Sequence, residues 1–126
     1  MSVQVGWSNI LDEIIKILKS AEHYPETNET CFLTAYQLAV LLYENNKALI
    51  QSANCPKNIG GMGEKDQNSL SQYIARNLSQ YSKKENSDIE LRFLNITGLE
   101  QFSFLDEKKI LSMPSKNCFS MFRYIG

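Results

Sequence analysis

Apolar residues recur at helical spacing over most of this chain and change to strand spacing towards its C-terminal end. Ile10, Leu11, Ile14, Ile15, Ile17, Leu18 and Ala21 share one side of a helix predicted from about Ser8 to Ala21, with Asp12, Lys16 and Lys19 opposite. Asp12 stands four residues before Lys16, the favourable order for an ion pair on a helix surface. Trp7, just ahead, is expected to pack onto the core. A polar loop around His23–Glu29 follows. Thr34-Ala-Tyr-Gln37 is then a capping box, in which a hydroxyl and a glutamine each take an orphan backbone N–H, and Leu33 can staple to Leu38. Every residue from Leu38 to Tyr43 is apolar, so this helix needs cover on several sides and is the central one. Asn45-Asn46 should break or bend it before a shorter helical segment near Lys47–Ala53.

The next helix carries the most information. Residues 68–84 open on a second capping box, Ser69 with Gln72, and place Leu70, Tyr73, Ile74, Leu78 and Tyr81 on one arc. Gln72, Arg76, Ser79 and Lys83 line the opposite side at spacings of four, three and four, with no carboxylate among them. Asn77 falls inside the apolar arc and needs a partner there. Ahead of this helix, Asn54–Gln67 reads as a loop containing Pro56 and Gly60-Gly61-Met62-Gly63.

Beyond Asn86 the period changes to two. Ile89, Leu91 and Phe93 alternate with Glu90 and Arg92, a half-buried strand. Thr97-Gly98 turns the chain. Residues 102–105 and 110–113 flank Asp106-Glu-Lys-Lys109 as a hairpin, and Cys118–Ile125 forms a last strand rich in Phe and Tyr. The pattern predicts an α+β fold in one domain, residues 1–126: three or four N-terminal helices followed by a small antiparallel sheet. A tri-helical core followed by a sheet with a charged hairpin resembles the winged-helix arrangement. The resemblance lies in element order and patterning, with no family signature beside it.

Composition adds boundaries. A chain of 126 residues with 43% hydrophobic and 21% charged residues can build its own core. It holds no apolar run long enough to span a bilayer, which takes about 18 residues or more. The start, MSVQVGWSN, has neither a basic region nor an apolar signal core, and three cysteines (Cys31, Cys55, Cys118) lack C-x-x-C spacing. We therefore expect a reduced, cytoplasmic protein in which free cysteine acts as a small buried hydrophobe. Net charge is −1, divided as −3 over residues 1–56 and +2 over residues 57–126.

No catalytic constellation stands out. His23 is the single histidine and sits in a polar loop. Zinc would need about four nitrogen or sulfur ligands in paired spacing. The pairs Asp12-Glu13 and Asp106-Glu107 are sequence neighbours, unlike an acid/base dyad with two distinct environments. Gly60 and Lys65 lack the Walker A spacing and the hydroxyl that must follow it. We expect a non-enzymatic chain without metal or cofactor.

What remains is binding. In a major groove, Arg76 would read guanine and Gln72 adenine by bidentate geometry. Ser79, Lys83 and Lys84 would hold phosphates, Lys65 would meet one beside the helix N-terminus, and Lys108 and Lys109 would touch a neighbouring groove from the hairpin tip. The expected partner is duplex DNA. The alternative is a small protein-binding inhibitor, immunity-type or accessory protein that covers a partner through Phe102, Phe104, Phe119, Phe122 and Tyr124, aromatic residues being enriched at interface centres. A homodimer would use the same sheet.

Overall fold

Local chemistry sets where each helix begins in the computed structural model, which describes residues 6–56, 69–95, 102–103, 110–111 and 118–126. The first helix, α1 (Trp7–Lys19), starts where the Asn9 side chain reaches back to accept from Gly6 N at 3.2 Å. On its surface Lys16 pairs with Glu13 at 3.8 Å rather than with Asp12. The i, i+3 partner wins in this geometry.

The stretch after α1 is structured, contrary to the loop expected from its polarity. β1 (His23–Tyr24) pairs antiparallel with β2 (Glu29–Thr30), and Asn28 takes a left-handed φ of 58° at the bend. β3 (Leu33–Thr34) then pairs with the last strand of the chain through Leu33↔Phe122 and Thr34↔Met121. The helices are therefore not all followed by strands: three short strands intervene between the first helix and the second.

α2 (Ala35–Ser52) opens on the predicted box, Thr34 N donating to Gln37 Oε1 at 2.8 Å and Gln37 N to Thr34 Oγ1 at 3.1 Å. It kinks at Asn46, whose backbone is non-helical (φ −154°, ψ 65°) and whose Oδ1 caps the second segment by accepting from Leu49 N at 3.2 Å. The Asn-Asn bend leaves one kinked helix, so the described residues contain three helices.

α3 (Leu70–Ser82) repeats the box with Ser69 and Gln72. Its inner arc is as the spacing requires: Leu70, Ile74 and Leu78 are fully buried, and Tyr73 and Tyr81 pack partly against the core. Asn77 resolves its difficulty locally, Nδ2 donating to Tyr73 O at 2.9 Å.

β4 (Ile89–Asn95) follows, then β5 (Phe102–Ser103), β6 (Ile110–Leu111) and β7 (Cys118–Tyr124). β5 and β6 pair antiparallel, as the hairpin reading requires; its tip, residues 104–109, lies outside the described residues. β7 is the middle strand of a three-stranded antiparallel sheet, order β3–β7–β4. The core forms where α1, α2 and α3 meet this sheet: Ile10, Ile14, Leu18, Leu38, Leu42, Leu70, Ile74, Leu78 and Phe122 are all 0% exposed. Each fully buried side chain of this size contributes about 1.5–3 kcal/mol. Trp7 meets Tyr73 edge-on, ring centroids 5.8 Å apart, and so ties the start of α1 to α3.

Three expectations about burial are corrected. Phe122, set among the aromatic residues expected to cover a partner, is 0% exposed and belongs to the core beneath the helices. Phe93 continues the core-facing alternation of Ile89 and Leu91, yet it is 60% exposed. Cys31 is exposed and Cys55 half-buried, so neither is the buried hydrophobe expected of a free cysteine.

Candidate functional site

The outer side of α3 is fixed by its inner side. With Leu70, Ile74 and Leu78 anchored in the core, the helical period turns Gln72, Arg76, Ser79 and Lys83 away from it. Arg76 and Lys83 are exposed, and Gln72 and Ser79 half-buried. Lys83 is the C-cap of the helix, and its N–H donates to Ser79 O at 3.2 Å. Exposed Lys84 follows, its Nζ 5.7 Å from the centre of the Tyr81 ring. Cationic and amide donors therefore run the length of one helix, and α3 itself contains no acidic residue to neutralise them.

Gln72 has two claims on it. Its Oε1 accepts from Ser69 N at 2.9 Å, while its own N–H donates to Ser69 Oγ at 3.3 Å. The capping box thus takes one of the two lone pairs of the amide oxygen and leaves the NH2 donors for a ligand. Lys65, Lys108 and Lys109 lie outside the described residues, as does the Gly60–Gly63 segment.

A tight return joins α3 to the sheet. Tyr81 donates its hydroxyl to Asp88 Oδ1 at 2.9 Å, and Asn86 adopts a left-handed φ of 62°. Ser87 Oγ accepts from Ile89 N at 3.2 Å, and Ile125 N donates to Asp88 O at 2.8 Å. The hydrogen bond to Asp88, followed by burial, raises the Tyr81 pKa above the ordinary tyrosine value. For Tyr43 and Tyr73 burial is the larger cause of a shift in the same direction. These are phenols held neutral, which suits packing.

On the sheet's outer face a chain of charges runs across the strands. Arg123 Nη1 donates to Glu29 Oε2 at 2.7 Å, and its Nε lies 2.8 Å from Glu90 Oε1 without a well-aligned N–H. Glu90 Oε2 lies 3.2 Å from Arg92 Nη2. Phe32 stacks beneath the Arg123 guanidinium at 4.9 Å. This network joins the β1–β2 hairpin to β7 and β4. Sequence reading missed it: Glu90 and Arg92 show in the pattern only as outward positions, and Glu29 lies far away in sequence.

A concavity of about 660 Å3 opens between α1, β3 and α2, lined by apolar Ile17, Leu33 and Leu41 and by Glu13, Lys16 and Gln37. Among the described residues no group of three or more His, Cys, Asp or Glu is placed to hold a metal ion. No helix among them is long and apolar enough to cross a membrane. Comparison with protein-family models, with curated proteins and with solved structures gives no match.

Proposed function

We propose that this chain is a non-enzymatic, cytoplasmic, winged-helix-like module that reads duplex DNA with the outer side of α3. The observation that carries the reading is the rigid stripe Gln72–Arg76–Ser79–Lys83 on a helix anchored by Leu70, Ile74 and Leu78. Arg76 is the guanine reader, Gln72 donates from its free NH2 to a base-edge acceptor, and Ser79, Lys83 and Lys84 take phosphates. Three helices against a three-stranded sheet support the winged-helix resemblance, as does the long excursion between β4 and β7 that carries Lys108 and Lys109. The connection over residues 53–69 is longer than the three- or four-residue turn of a helix-turn-helix, so the likeness lies in the layers rather than in that turn. Lys65 and the two hairpin lysines belong to the proposed contact set from the sequence alone.

The test is fluorescence anisotropy against a random duplex library at low salt, followed by Arg76→Ala and Lys83→Ala. The reading expects wild-type binding, loss of base preference at one position for the first variant and uniform weakening for the second. A flat titration removes it.

A second reading, a small protein-binding inhibitor or accessory protein, draws on the concavity between α1, β3 and α2 and on Phe93 at 60% exposure. Capture of one stoichiometric protein from native lysate, lost on Leu41→Glu in the lining of that concavity, favours it over the DNA reading.

A further inference from the structure

The return from α3 to β4 brings together cations that are far apart by pattern. Lys83 and Lys84 leave the end of the helix, and Arg92 stands well into the strand. All three line one open depression of about 390 Å3, together with Asn86, Ser87 and Glu90. We infer that this depression is a phosphodiester site, in which Arg92 joins Lys83 and Lys84 in holding one backbone phosphate of the duplex.

The local geometry supports an anion of this kind. The Arg92 side chain is 64% exposed and spends one nitrogen on Leu91 O and another on Glu90 Oε2. A guanidinium has five N–H donors in a planar fork, so donors remain for a phosphate oxygen. Glu90 shares its carboxylate between Arg92 and Arg123 and is therefore only a partial counter-ion to either. Asp88, the other nearby acid on the return, is engaged by the Tyr81 hydroxyl. Glu85 is exposed between the lysines and the strand and opposes the site, as do the carboxylates of Glu90 and Asp88. Among the residues that line the depression itself, the three cations Lys83, Lys84 and Arg92 meet one carboxylate, Glu90. The C-terminal end of α3 is the negative pole of the helix dipole and opposes an anion, so the cations must outweigh it; Ser79 O and Tyr81 O accept from Lys83 N, Leu78 O from Ser82 Oγ, and Lys84 O from Ser87 N. A phosphate held here would fix the helix along its axis, which orients α3 without specifying sequence.

This inference rests on the reading of α3 as a DNA-binding helix, and one experiment separates the two. The salt dependence of duplex affinity is measured by anisotropy for wild type, Arg92→Gln, Lys84→Gln and the control Lys16→Gln on α1. Each phosphate contact contributes about 0.9 to the slope of log K against log salt. Arg92→Gln and Lys84→Gln are each expected to lower that slope by about one contact, so that their deficit narrows about 3.5-fold between 50 and 200 mM salt. Lys16→Gln, with the same change in net charge, is expected to leave it unchanged. Wild-type binding with an unaltered slope for Arg92→Gln overturns the phosphate site alone. An equal slope change for Lys16→Gln also overturns it, because net charge then explains the effect. No duplex binding by wild type overturns the reading of α3 and the site with it. Arg92→Gln is expected to melt within a few degrees of wild type, and Lys84→Gln, outside the ion-pair network, gives an independent answer.

Discussion

Gln72→Glu separates the two tasks of one side chain. Glutamate serves as well as glutamine at the third position of a capping box, so the acceptor to Ser69 N is retained. The first turn of α3 holds no acidic residue, and a negative charge there is worth about 0.3–1 kcal/mol against the helix dipole. For a domain of this size the melting temperature should rise by about 1–4 °C. Duplex affinity should move the other way. The substitution removes the NH2 donors and faces phosphates with a carboxylate. A bidentate base contact is worth about 1–3 kcal/mol. Because Oε1 is already engaged in the cap, the lower end applies, a loss of about 5–15-fold. Circular dichroism melts and anisotropy titrations on the same preparation give both numbers. A lower melting temperature for Gln72→Glu would refute the capping geometry. A higher one with unchanged duplex affinity would refute the placement of this face on DNA.

Three further outcomes follow from the packing. Arg123→Gln severs the link from the β1–β2 hairpin to the sheet and should cost about 1–2 kcal/mol in urea unfolding, the Glu90 contact being partly screened from water; Glu29→Gln, at a side chain that is itself 60% exposed, should cost less than about 1 kcal/mol. Tyr81 has its folded pKa raised, so the folded state keeps a proton that the unfolded chain releases as pH passes about 10. Its contribution is full below that pH and lost above the folded value, and urea titrations from neutral to alkaline pH should show a steeper loss for wild type than for Tyr81→Phe. Asn46→Ala deletes the acceptor for Leu49 N at the kink and should lower stability by about 0.5–1 kcal/mol, measurable as a shift in urea midpoint at constant m.

The helices were readable because their signals are local. Thr34 with Gln37 and Ser69 with Gln72 declare two starts within four residues, and Asn45-Asn46 marks the bend. β3 was invisible for the opposite reason. Leu33 and Thr34 have no alternation of their own, and they are a strand only because Phe122 and Met121 arrive beside them from the far end of the chain. Phe93 shows a related limit: period two assigns a face, but not how far the helices cover it. The stripe on α3 could be read from spacing once its apolar arc was known. The approach of Arg92 to Lys83 and Lys84 could not, because it depends on the left-handed Asn86 and the Tyr81–Asp88 bond that reverse the chain.

The most direct test of the central claim is a 15N-resolved NMR titration of the full chain with duplex DNA. The account predicts that the largest shifts fall on Gln72, Arg76, Ser79 and Lys83, while Ile17, Leu33 and Leu41 around the other concavity stay still. Shifts confined to that concavity, or none on α3 at saturating duplex, would contradict it.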